Sequence, residues 1–178
     1  MSKKAIILVD GSNFYFKMKD LKLHNFIDFN FSKFFKYLAG KNKLISSTYY
    51  IGKIRTDESK KSQILFNKQR KLLAHLKKHK TKYSLGYLLK SDGKYHEKGV
   101  DVQMAVDILV AAYENLVDHI ILVSSDTDLI PSIRKAQQLG KIVEYIGFSH
   151  QKSIALVAEC KETRLLKLED IEQFLEKK

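Results

Sequence analysis

Six short β-type runs, separated by segments of helical spacing, most constrain what this 178-residue chain can fold into. The runs fall at residues 5–9, 44–54, 82–89, 119–124, 141–147 and 165–168. Helix-period stretches cover 14–23, 31–38, 56–79, 99–115, 129–139 and 153–160, and a last one at 169–175 follows the final run. Gly40 and Gly140 stand where two of these helices should stop, and Thr56 or Asp57 is the expected N-cap of the longest. Strand and helix in strict alternation predict a parallel sheet with helices on both faces. Residues 91–94 carry the turn signal Ser-Asp-Gly-Lys, a candidate hairpin tip. The only proline, Pro131, falls in the first turn of a predicted helix, where it is tolerated. We expect one domain over residues 1–178, a length that buries about 70% of the unfolded surface.

Four aspartates sit at the ends of these elements. Asp10 closes the first run, Asp101 opens the helix at 99–115, and Asp126 and Asp128 follow the run at 119–124. In an open parallel sheet, ligands bind beyond the carboxyl ends of strands where strand order reverses. If the first and fourth runs are neighbours, Asp10, Asp126 and Asp128 meet at that crevice. Asp101 shares a helix face with Ala105, Ile108 and Ala112, so it should point inward. Each acid alone has a plainer explanation: an Asx turn for Asp10, an N-cap for Asp126, a dipole-stabilised first-turn acid for Asp101. Together they predict a carboxylate cluster, which requires compensation by a divalent cation such as Mg2+ or Mn2+. Two-metal sites of this kind suit in-line phosphoryl displacement. Ser12, Asn13, Ser125 and Thr127 are the expected supporting polar groups. Asp107, two turns along from Asp101 and rotated away from it, is expected to play a structural part.

Around this acidic spot the chain is strongly basic, with net charge +12. Residues 53–82 alone hold eleven Lys/Arg against Asp57 and Glu58. A helical wheel of the long helix sets Leu65, Leu72, Leu73 and Leu76 on one arc, and Lys60, Lys61, Lys68, Lys71 and Lys78 beside it, Ile64 excepted. Such clustered charge is the footprint of a phosphate-backbone binder; the competing reading is a solvated lysine face. Tyr15 and Phe14, next to the acids, are candidates for base stacking. The aromatics Phe26, Phe29, Phe31, Phe34 and Phe35 are expected in the core.

Other chemistries find little support. His75 and His79 have the i, i+4 spacing of a zinc pair but no third ligand nearby. No GxGxxG or GxxxxGK[ST] motif occurs. The single Cys160 allows no intramolecular disulfide, which suits a cytoplasmic protein. No run of 18 apolar residues is present, so no membrane span is expected.

Three blocks in order then resemble the NYN-domain family, PIN-like proteins that include the LabA-like group. They are Leu8-Val9-Asp10-Gly11-Ser12-Asn13, Lys98-Gly99-Val100-Asp101-Val102, and Val123-Ser124-Ser125-Asp126-Thr127-Asp128-Leu129-Ile130-Pro131. Ser125 and Leu129 stand where the family has glycine and phenylalanine. The resemblance covers about residues 4–150, with 151–178 expected to complete the fold as helix, strand and helix. It implies a PIN-like three-layer α/β sandwich with a mostly parallel sheet. It also implies metal ligation by Asp10, Asp101, Asp126 and Asp128, and Mg2+- or Mn2+-dependent cleavage of RNA. The expectation is therefore a ribonuclease acting on single-stranded RNA, with Lys98 and the helix lysines holding the phosphate backbone; a homodimer is left open. The rival from another class is an RNA-binding module with little turnover, and a weaker one is a phosphatase on small substrates.

Overall fold

The computed structural model describes residues 2–23, 26–54, 59–91 and 94–175. In chain order the elements are β1 (Lys4–Asp10), α1 (Gly11–Asp20), α2 (Phe31–Ala39), β2 (Lys43–Gly52), α3 (Lys60–Lys78), β3 (Lys82–Ser91) and β4 (Lys94–Lys98). There follow α4 (Val100–Tyr113), β5 (His119–Val123), α5 (Ile130–Gln138), β6 (Ile142–Phe148), α6 (Ile154–Glu159), β7 (Glu162–Leu166) and α7 (Leu168–Glu172). The strands form one sheet in the order β4-β3-β2-β1-β5-β6-β7. All neighbours are parallel except the β3–β4 hairpin.

Alternation along β1 explains the two cores. Ala5, Ile7 and Val9 point to one face, Ile6 and Leu8 to the other. On the first face pack α1, α2, α3 and α7, through Phe14, Met18, Phe31, Phe34, Phe35, Leu38, Leu76 and Ile171. On the second pack α4, α5 and α6, through Val100, Met104, Ile108, Ile133, Ala136 and Leu156. The result is the expected three-layer α/β sandwich. The first core is an aromatic cluster: Phe14 has Phe29, Phe34 and Phe148 at ring separations of 5.7–5.9 Å. Phe174 packs on Phe29 and Phe34, so the C-terminal segment closes on its own core.

Several boundaries differ from the sequence expectation, each for a physical reason. Helix α1 starts three residues early because the Asp10 side chain caps it, accepting the N–H of Asn13. Helix α3 is capped by Ser59, which accepts the N–H of Ser62; Thr56 and Asp57 lie outside the described residues, as do Asp92 and Gly93 of the hairpin tip. Strand β4 has no apolar run to announce it. Its sequence Lys-Tyr-His-Glu-Lys is that of an edge strand, where charges discourage further pairing. Strand β7 likewise begins on polar residues, Glu162 and Thr163. On α3, Leu76 is buried and Leu72 and Leu73 pack on the core, but Leu65 is 44% exposed. Buried Gln69 takes the inward position instead, accepting from Ile54 N–H and donating to the Gly52 carbonyl. The helix thereby clips the end of β2 with hydrogen bonds rather than apolar surface.

Candidate metal centre at the sheet switch point

Winding reverses at β1. The chain proceeds from β1 to β2 and β3 on one side, then returns to place β5, β6 and β7 on the other. β1 and β5 are parallel neighbours, with Val9 opposite Val123, so the loops leaving both strands meet at one crevice.

Asp10 is the last residue of β1 and is 7% exposed. Its Oδ1 accepts the Asn13 N–H at 2.9 Å, and its Oδ2 accepts the Ser124 hydroxyl at 3.1 Å. Burial pushes the Asp10 carboxyl above its ordinary pKa. The donors from Asn13, Ser124 and the Ser12 backbone work against that rise, and the nearby Asp126 charge adds to it. A buried carboxylate whose charge is disfavoured in this way is a poised cation ligand. The tight entry into α1 requires glycine at position 11. A Cβ there would run into the Tyr49 ring and stand 2.6 Å from the Tyr50 carbonyl oxygen. Tyr49 also donates its hydroxyl to the Gly11 carbonyl at 3.1 Å, fixing the turn from beneath.

Asp126 follows β5 and caps the short 3-10 turn Thr127–Leu129. Its Oδ1 accepts the Asp128 N–H at 2.9 Å, and its own N–H donates to Ser124 Oγ at 3.1 Å. Asp101 lies in the first turn of α4, which starts after Gly99 in the left-handed region at φ 83°. That reversal carries the chain out of β4 and aims the helix at the crevice.

These placements bring one oxygen each of Asp10, Asp101 and Asp126 within 4.8 Å of one another, a group able to hold a metal ion. With Ser12, Asn13, Phe16 and Val100 they line a cleft of about 340 Å³. The donors fit a hard divalent cation, which takes carboxylate oxygens. Asp128 is not in this group: it is exposed, and its backbone N–H holds Asp126. Ser125 and Thr127 do not line the cleft. The Ser125 hydroxyl lies 3.3 Å from that of Tyr145, and Thr127 is exposed. Asp107 takes the structural part expected of it, accepting from the Tyr50 hydroxyl at 2.5 Å and from Gln103 at 2.8 Å.

Two residues at the site are absent from the sequence expectation. Ser124 is buried behind the cleft, 2% exposed, and ties Asp10 to Asp126 through contacts that only the fold creates. Phe16 is 58% exposed and faces the acids, whereas Phe14 is fully buried in the core and cannot stack on a base. Tyr15 is 45% exposed and packs edge-on to Phe16 at 5.5 Å. The basic residues Lys60, Lys61, Lys68, Lys71, Lys78 and Lys98 are all exposed. His75 is spoken for: its Nε2 donates to the Phe29 carbonyl at 2.8 Å.

The NYN domain model matches residues 4–167, and the chain belongs to the NYN domain family. The match runs past residue 150 to the end of β7. A crystal structure of a Vibrio parahaemolyticus protein of unknown function superposes with TM-score 0.72 at 24% identity, covering 96% of each chain; it shares the fold. An uncharacterized protein of Methanocaldococcus jannaschii is 44% identical over 57 residues, 32% of this chain and 24% of that protein. The chain thus matches about a quarter of its curated relative's length. No helix among the described residues is long and apolar enough to cross a membrane.

Proposed function

We propose that the protein is a cytoplasmic, divalent-metal-dependent ribonuclease with Asp10, Asp101 and Asp126 as ligands of Mg2+ or Mn2+. The observation that carries this reading is the convergence of three carboxylates from β1, α4 and the β5 loop within 4.8 Å, at the switch point of a parallel sheet. A divalent ion bound there would polarise a phosphoryl oxygen and supply hydroxide at neutral pH. The chain's own groups hold the geometry. Ser124 and the Asn13 N–H orient Asp10, and the Asp128 N–H fixes Asp126. In this reading the Asp128 side chain is a helper beside the cleft, not a ligand. The side chains of Ser12 and Asn13 face the substrate from the rim.

Single-stranded RNA fits the surroundings. Phe16 offers an exposed ring beside the acids, the kind of surface on which an unpaired base stacks. Lys98 precedes Gly99 and the α4 turn that carries Asp101, where it can meet a phosphate. Gln69, halfway along α3, is bound to the carboxyl end of β2, so the first half of the helix, with Lys60, Lys61 and Lys68, extends beyond the sheet edge that carries the cleft. The whole helix is about 28 Å long. The lysine stripe would therefore guide a backbone away from the cleft and contribute binding, not chemistry.

Labelled single-stranded RNA incubated with Mg2+ or Mn2+ tests the proposal. Wild type should cleave it, and the Asp10→Asn/Asp126→Asn double variant should not. Salt-sensitive retention of RNA that persists in EDTA, with no products from wild type, would replace the enzyme by a binding module.

A further inference from the structure

A second cluster lies at the other end of the sheet. His119 opens β5, Glu144 is the third residue of β6, and Glu162 opens β7. All three belong to the amino-terminal halves of parallel strands, whereas the aspartates gather beyond the carboxyl ends. We propose that His119 Nε2, Glu144 Oε2 and Glu162 Oε2 form a separate site for a divalent transition metal of the zinc type.

The distances are compatible with a shared metal ion. His119 Nε2 lies 3.2 Å from Glu144 Oε2 and 3.8 Å from Glu162 Oε2, and all three donors fall within 4.8 Å. Two ligands of one tetrahedral zinc, each at about 2.1 Å, stand about 3.4 Å apart. One imidazole and two carboxylates form a donor set that zinc accepts, with solvent in the fourth position. Glu162 is half exposed and leaves that side open to water.

An independent observation points to a missing ligand. His119 is 5% exposed, yet its Nε2 makes no hydrogen bond among the described residues. It is close enough to Glu144 for an ion pair but lacks the direction of an N–H···O bond. A buried ring nitrogen left in that state is costly unless something else coordinates it. The surrounding groups suit a ligand cluster. Arg164 Nε and Nη2 both bind Glu144 Oε1, at 2.9 and 2.6 Å, so Oε2 is the oxygen left to face the histidine. Arg164 is itself held by the Leu38 carbonyl at 3.0 Å. The Asn42 amide lies 3.0 Å from His119 Nδ1. Turned by 180°, an exchange that leaves its shape unchanged, it presents an oxygen to Nδ1–H, the outer-shell partner of a metal-bound histidine.

The competing account is a metal-free ion-pair network of protonated His119 with Glu144, Glu162 and Arg164. Equilibrium dialysis against Zn2+ separates the two. The protein used is the full chain carrying Asp10→Asn and Asp126→Asn, so that the aspartate cleft does not contribute. We expect one Zn2+ retained per chain, and an affinity at least about 10-fold lower when His119→Gln or Glu162→Gln is added. Co2+ in place of Zn2+ should give the intense visible bands of a four-coordinate ion in the parent and lose them in either variant. Glu162→Gln alters a half-exposed side chain and keeps the core, so it stands as the test if His119→Gln misfolds. No retained Zn2+, or retention that Glu162→Gln leaves unchanged, would overturn the proposal.

Discussion

The Ser124 hydroxyl donates to Asp10 Oδ2 at 3.1 Å while its oxygen accepts the backbone N–H of Asp126 at the same distance. One side chain, itself 2% exposed, thereby couples the ends of two neighbouring strands and sets the spacing of two carboxylates. Ser124→Ala should leave the fold in place but remove the donor that favours ionised Asp10. Metal affinity is expected to fall about 10- to 100-fold, measured by Mn2+ titration, as for other groups that orient a ligand.

Asp10 also gives a pH signature. Its pKa is raised in the fold, chiefly by burial, so the folded chain binds more protons there than the unfolded chain at intermediate pH. Stability from this group therefore falls as pH rises from the ordinary aspartate range through the raised value, and the penalty is complete above it. Asp10→Asn removes the penalty. In metal-free buffer at pH 7 the variant's Tm should exceed that of wild type, because the asparagine carries no charge to bury. Thermal scans should show the gap closing as pH falls toward 4.

Tyr50 tests the support behind the site. Its hydroxyl is buried and donates to Asp107, and burial together with that carboxylate pushes its pKa far above the ordinary tyrosine value. Tyr50→Phe should cost about 1.5–3 kcal/mol in urea unfolding, the range for a hydrogen bond to a charged group.

Gly11→Ala should be more damaging than its size suggests. The new methyl meets a backbone carbonyl at 2.6 Å and the ring of Tyr49, neither of which can move freely. We expect a loss of at least about 2–3 kcal/mol, together with displacement of Asp10, seen as lower Tm and weaker Mn2+ binding.

Cys160 should be inert in the folded state. Burial, reinforced by the Glu159 charge, pushes its thiol up to about 12. A thiol reagent at pH 8 should label it only in denaturant, because little thiolate exists below that value. Rapid labelling of the native protein would contradict this placement.

The legible part of this fold was the part written in apolar periodicity. The parallel sheet follows from the alternation of strand and helix, and the meeting of Asp10 with Asp126 from carboxylates placed after two strands that are neighbours in the sheet. Edge strands were harder. β4 is polar throughout, and β7 hides Glu162 and Arg164 in an element judged by its leucines. The long helix misled at Leu65, because a wheel does not say that Gln69 will be drawn inward by the open backbone groups of Gly52 and Ile54. Asp128 looked equivalent to Asp126 in sequence, but the 3-10 turn uses its backbone and leaves its side chain outward. Ser124 and the cluster around His119 depend on contacts between residues far apart in the chain, which no local pattern encodes.

The most direct measurement of the central claim is Mn2+ binding followed by electron paramagnetic resonance, in wild type and in four single variants. Asp10→Asn, Asp101→Asn and Asp126→Asn should each weaken binding by more than about 10-fold, and Asp128→Asn should stay within about twofold of wild type. Binding that survives all three of the first substitutions, or that depends on Asp128 as strongly as on Asp10, would contradict the assignment of the cleft as the metal centre.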